Sequence, residues 1–134
     1  MEAAVILPLI LLIAVTIFEF GRAFQTWEVV TNAAREGARV AILPNATSDD
    51  VQARVLAYMQ NGALDGAAAA TITVNQAATV ALGGTGTAAA SVVTVNYPFS
   101  FMVLNPVANL VVGGSTLGSP ISLTASAEMR NEAQ

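Results

Sequence analysis

The chain has 134 residues, 54% of them hydrophobic, with nine acids, five arginines, no lysine and a formal net charge of −4. That balance excludes a nucleic-acid partner, because a polyanion needs a basic stripe to neutralise its phosphates. With neither cysteine nor histidine in the chain, there is no disulfide framework, and the usual metal ligands and general base are missing, so no enzyme and no cofactor is indicated.

Residues 3–18 are apolar but for Thr16 and run without a break into an amphipathic helical pattern that reaches about Leu43. At ~1.5 Å rise per residue, residues 3–43 make a rod of about 60 Å, twice the hydrocarbon thickness of a bilayer. The lower half belongs in lipid or in a helix bundle. The upper half must stand in water or against protein. The predicted division is a long helix over residues 1–43, membrane-spanning or buried over about 3–24, followed by a small domain over 44–134. That domain is expected to hold one helix and three to four antiparallel strands.

Sixteen apolar residues cover only about 24 Å, so a span reaching Phe24 requires Glu19 and Arg22 to pair at i,i+3 near the interface. Trp27 suits an interfacial anchor. The helical pattern continues past the apolar run with no small-residue cleavage site, unlike a secretory signal peptide. Arg22, Arg35 and Arg39 all follow the span and nothing basic precedes it, which taken alone would orient the domain to the cytoplasm. A short basic leader ahead of Met1 resolves that conflict. Pro8 and Gly21 are the weak points of the rod and the candidates for a kink. Glu2 heads the apolar stretch, where a carboxylate is expensive to bury unless a neighbouring subunit supplies the opposite charge. Ile6, Leu7, Leu9, Leu11, Leu12 and Ile13 are expected to bury in the same assembly.

Small residues between Thr31 and Ala41 permit close approach of another element, and Pro44 is expected to end the helix. Ser48-Asp49-Asp50 reads as the cap of a second helix over 51–61, burying Val51, Val55, Leu56 and Met59 and stopped by Gly62. Strands are predicted at 71–74, 91–97 and 121–129, the last turning Ile121, Leu123, Ala125, Ala127 and Met129 inward. A weaker strand at 79–82 pairs with the second of these across a glycine-rich turn at 83–87. Residues 104–117 read as an apolar loop, either a lid on the sheet or a subunit contact. Eleven of the 28 residues from 63 to 90 are alanine, so this stretch buries little area and the domain relies on its neighbours. Asn45-Ala46-Thr47 matches a glycosylation acceptor, a weak signal at this length.

Two stretches of the helix, Glu2-Ala3-Ala4-Val5-Ile6-Leu7-Pro8 with Phe18-Glu19-Phe20-Gly21-Arg22, and Thr31-Asn32-Ala33-Ala34-Arg35-Glu36-Gly37-Ala38-Arg39, resemble the TadE-like proteins. These are pilin-like members of the type IV filament superfamily associated with tight-adherence secretion. The strands at 93–99 and 121–130 are similar to the family's ending. The resemblance implies an α+β pilin-like fold, with a long N-terminal helix, a short second helix and a small antiparallel sheet. It implies a prepilin peptidase that removes a basic leader, and inner-membrane assembly machinery. Identical subunits would then polymerise by burying their helices, passing from the bacterial inner membrane to an extracellular pilus. In that superfamily the key glutamate usually lies fifth after the cut, whereas here it is second. Two alternatives stand beside a structural filament subunit: a minor pseudopilin that primes assembly, and a single-span anchored binding protein.

Overall fold

The computed structural model describes the backbone of residues 2–111 and 113–131, and their side chains except those of residues 2–5 and 111. A single helix, α1 (Glu2–Ala41), runs for 40 residues through both Pro8 and Gly21. It ends three residues short of Pro44, in a turn closed by the Leu43 amide donating to the Val40 carbonyl at 3.0 Å. Next comes α2 (Ser48–Asn61), then a 3-10 turn, Ala67–Ala69. The hairpin strands β1 (Thr71–Leu82) and β2 (Gly86–Phe99) follow, then a helix α3 (Leu104–Val111) and the closing strand β3 (Ile121–Arg130). The sheet among the described residues is antiparallel in the order β1-β2-β3. The architecture is α+β, as the sequence predicts.

The cap of α2 sits one residue earlier than expected. Thr47 is the N-cap: its hydroxyl accepts from the Asp50 amide at 3.2 Å, and the Asp50 carboxylate accepts from the Thr47 amide at 3.0 Å. This reciprocal box satisfies two of the helix's orphan donors. At the other end Gly62 is present, but its φ of −78° is not left-handed, and Ala63 takes that conformation at φ 56°. The Leu64 amide reaches the Met59 carbonyl at 3.1 Å and the Ala63 amide the Gln60 carbonyl at 3.0 Å, the paired bonds of a Schellman ending. Gly62 is required for space instead: a Cβ there would meet Val29 Cγ1 of α1 at 2.5 Å.

The strand expected at 71–74 and the weaker one expected at 79–82 are one continuous strand. Asn75 pairs with Val92 and Ala78 with Ala90, so two residues of β1 oppose the single Ser91 of β2. The bulge is accommodated without ending the strand, and burial alternates without a break along it; the sequence reads as two pieces because Asn75, Gln76, Ala77 and Ala78 are weak strand formers. Residues 104–111 form α3 instead of a loop. Pro106 falls in its first turn, where no intrahelical donor is lost, and Leu104 and Ala108 recur at helical spacing on its buried side.

α1 crosses one face of the sheet over β2 and β3, and α2 packs between α1 and β1. The core is built from Val30, Ala33, Ala34 and Ala38 of α1, Val51, Val55 and Met59 of α2, and Val93, Val95, Tyr97 and Phe99 of β2, with Ala125 and Ala127 of β3. Gly37 lies at the closest point of this junction; a Cβ would stand 2.5 Å from Val55 Cγ2 and 3.2 Å from Val93 Cγ1. The small-residue stretch of α1 thus packs on its own domain. Leu56 is half-buried against the core, whereas Ile121, expected inward, is 42% exposed at the open end of β3 opposite Phe99. The opposite sheet face carries Thr73, Asn96, Thr124 and Ser126, exposed or nearly so. The core therefore does not begin at residue 44: the upper half of α1 is one of its walls.

Candidate membrane and assembly site

Large apolar side chains crowd the lower half of α1, and few of them find partners within the chain. Leu7 is 71% exposed, Ile17 69% and Phe18 64%; Ile6, Leu9, Leu11 and Ile13 are each more than half exposed. Leu12 alone of the nominated apolar residues is half-buried, with Val15 and Thr16. By length and composition, one helix among the described residues is apolar enough to cross a membrane, Ile6–Ala41. The Thr16 hydroxyl donates to the Leu12 carbonyl at 2.7 Å, which removes the cost of a free hydroxyl on the apolar stretch. Pro8 and Gly21 both face open space. Glu2 is part of the α1 backbone, but its side chain, and with it any pairing, lies outside the described residues.

The buried acid of this helix is Glu19, which has no exposure at all. It falls on the stripe Leu12, Thr16, Glu19, Ala23, Thr26, Val30, spaced at three and four residues, which turns one side of α1 to the rest of the chain. Its Oε2 accepts from Arg22 Nη1 at 3.0 Å and from the Met102 amide at 3.2 Å, and its Oε1 accepts from the Val103 amide at 3.0 Å. The pair expected between Glu19 and Arg22 is formed. The two amides were not foreseen; they lie at the N-terminal end of α3, where unpaired N–H groups and the helix dipole favour an anion. Around this point Arg22 lies over the Phe99 ring, 5.2 Å from its centroid. Phe99 meets Phe101 edge-on at 5.2 Å, and Phe101 meets Phe20 at 6.0 Å. One carboxylate and a cluster of rings therefore fasten the span to the segment that leads into α3.

Higher on α1, charge is confined to the surface. Glu36 accepts from Arg54 of α2 at 2.7 Å and from Arg39 at 3.3 Å. The hydrogen bond from Arg54 is the main reason its carboxyl is held below the ordinary value. Trp27 is 43% exposed and packs on Phe24, with ring centroids 6.0 Å apart, one step beyond the span as an interfacial anchor should lie. Asn45 is exposed with φ 63°; the threonine of its acceptor motif is the α2 cap. A cleft of about 470 Å³ between α1 and the segments at 62–66 and 97–102 includes Arg22, Asp65 and Tyr97 in its lining.

Sequence reasoning named Glu2 as the acid in an unusual place and overlooked the depth of Glu19. The signal was available: Glu19 shares its helical stripe with Ala23, Thr26 and Val30, all of which face the domain.

No curated protein and no solved structure matches the chain. One family model does match, described as TadE-like protein, over residues 1–39. The matched residues take in both helix motifs on which the resemblance rests and leave the strands outside it. Through its N-terminal helix, then, the chain is similar to the TadE-like, pilus-related proteins, and among the described residues that helix is the single candidate for membrane anchoring.

Proposed function

We propose that the chain is a pilin-type structural subunit. It is held in the bacterial inner membrane by residues 3–24 and then drawn into an extracellular filament where these helices bury one another. The observation that carries this reading is the unpartnered apolar surface of lower α1 below a domain that the upper half of the same helix helps to build. Burying each exposed leucine or isoleucine is worth roughly 1.5–3 kcal/mol. A membrane satisfies that surface first, and identical helices satisfy it afterwards. Glu2 then pairs with a cationic group of an adjacent subunit and sets axial register, because sliding one rod past another would strand both charges.

The likeness to TadE-like proteins favours a second reading, a minor pseudopilin that primes assembly and stays mostly in the membrane. Copy number separates the two. Electron microscopy of purified surface appendages, with mass spectrometry of their main band, is expected to find this chain as the repeating subunit. Filaments made chiefly of another protein, with this chain at trace level, would support the priming role instead.

A further inference from the structure

The geometry points to a second lipid-contacting element: α3, with the residues flanking it, lies in the outer part of the bilayer beside α1, as a foot on which the domain rests. This inference rests on the reading of α1 as a membrane span.

The placement follows from the Glu19 cluster. Met102 and Val103 are hydrogen-bonded to Glu19, within the 3–24 span and at the upper end of the apolar stretch of α1, and α3, with Leu104 and Ala108 buried, packs on α1. Glu19, Thr16, Val15 and Leu12 share one side of α1, and the last three are half-buried whereas Leu11, Ile13 and Ile17 are exposed. From Leu12 to Glu19 is about 10 Å of helix rise, and the eight residues of α3 make about 12 Å, enough to cover that side. A span over 3–24 is about 33 Å long. Whatever stands beside Leu12 to Glu19 therefore stands at hydrocarbon depth.

The chemistry of the segment agrees. Its large exposed side chains are apolar: Leu110 is 91% exposed, Met102 70%, Leu117 60% and Val103 39%. Phe18 and Phe20, the neighbours of Glu19 on α1, are exposed as well, at 64% and 58%. The segment from 100 to 120 carries no charged residue, so no ionic group opposes its placement in lipid. Several polar side chains of the segment turn back on their own chain. Asn109 Nδ2 donates to the Asn105 carbonyl at 3.0 Å, Asn105 Nδ2 to the Leu117 carbonyl at 3.1 Å, and the Ser119 hydroxyl to the Thr116 carbonyl at 2.7 Å. Internal satisfaction of this kind is what a low-dielectric surrounding requires of polar groups. A second copy of the chain could cover the same surface in a filament. Before assembly, however, each monomer must already place it somewhere, and at that height the surrounding medium is lipid.

The chain has no cysteine, so single nitroxide labels can be placed without background. Full-length Leu110→Cys, Ile10→Cys and Thr85→Cys, reconstituted in vesicles of phosphatidylcholine and phosphatidylglycerol, report collision with oxygen, which concentrates in lipid, and with a water-soluble nickel chelate. The expected result is an oxygen-to-nickel ratio at position 110 several-fold above that at 85, on the hairpin turn, and of the same order as that at 10. A nickel-accessible label at 110 with a lipid-exposed label at 10 would overturn the foot while leaving the span intact. Exclusion of both reagents from 110, with dipolar broadening between labels, would assign the surface to a second copy and overturn the proposal. An aqueous label at 10 would remove the span and the foot together. Leu110 makes no buried contact, so its substitution leaves the fold in place.

Discussion

The two halves of α1 are one unbroken helix with opposite commitments. Below Glu19 the side chains are large and branched, and they project into open space on most sides. Above it the inward positions are mostly small, with Ala23, Ala33, Ala34, Gly37 and Ala38 beside Thr26 and Val30, and the helix presses against α2 and the sheet. Large apolar side chains suit an environment that adapts to them, such as lipid or identical rods. Small ones suit a fixed partner at close range, where backbone approach counts for more than area per residue. Residue size, rather than hydrophobicity alone, therefore tells the membrane half from the domain half. Glu19 marks the changeover, a charge tolerable at that depth because three donors meet it.

The comparison is broken most completely by cutting the helix. A fragment of residues 44–134 keeps the whole sheet but loses the wall formed by Val30, Ala33, Ala34 and Ala38. It is expected to show no cooperative thermal transition, whereas a fragment starting at Gly21 melts cooperatively. A sharp melt from the shorter fragment would mean that upper α1 is an accessory and not part of the core.

The lower half is tested by charge. Leu11→Asp or Ile13→Asp places a carboxylate near the centre of the span, at about 2.5–3.5 kcal/mol for insertion. Filament assembly is expected to be abolished, with the domain's melting behaviour unchanged. Normal filaments from both variants would show that lower α1 is not the assembly surface.

The legibility of the chain divides at the same place. The long rod, the Glu19–Arg22 pair, the buried face of α2 and the alternation of β3 could be read directly, because each is a local period in the sequence. What was missed depends on partners distant in sequence. The bulge in β1 is visible only against Ser91 of β2. α3 is too short, and too interrupted by Pro106, to announce itself without α1 beside it. The burial of Glu19 required knowing that residues 102 and 103 return to the rod. Gly62 looked like a turn glycine because glycine usually is one at a helix end; only the packing of Val29 shows that space was the reason.

The upper half is sharpened by size. Gly37→Val forces methyl groups against Val55 and Val93, both β-branched and neither able to swing aside. Overpacking of this kind costs typically about 1–3 kcal/mol, read as a lower melting temperature of the fragment starting at Gly21. Membrane insertion of the full chain should not change. An unaltered melt would mean that α1 and α2 can separate freely at this point.

The joint itself is tested at Glu19. Glu19→Ala leaves the Met102 and Val103 amides without their acceptor, at about 0.5–1.5 kcal/mol for each hydrogen bond lost. The loss should be local: hydrogen exchange is expected to accelerate at 102, 103 and the first turn of α3, while the amides of β2 stay protected. Glu19→Gln keeps one acceptor oxygen and should fall between the two. Equal acceleration across the sheet would make Glu19 a core residue of the whole domain, and no acceleration would remove its role as a fastening.

The smallest expected effect separates the halves by pH. Upper α1 carries Glu36, whose carboxyl is held below its ordinary value of 4.5, first by the hydrogen bond from Arg54, which outweighs the opposing effect of burial, and then by the charges of Arg39 and Arg54. Asp50 is likewise held below 3.8, chiefly by the Thr47 hydroxyl and amide. A carboxyl whose value is lower in the folded chain stabilises the fold fully above the unfolded value, and that contribution disappears as the pH falls through the folded value. Between neutrality and the unfolded values, stability of the fragment starting at Gly21 should therefore be nearly flat with respect to these two groups, declining only in more acid solution. The Glu36 pair is partly exposed, so its share is of the order of a surface ion pair, about 0.2–1 kcal/mol. Glu36→Gln should lower the plateau slightly and flatten the acid decline. Superimposable acid profiles for the parent fragment and Glu36→Gln would show that the α1–α2 ion pair holds nothing together. The attachment of upper α1 to the domain would then rest on apolar packing alone.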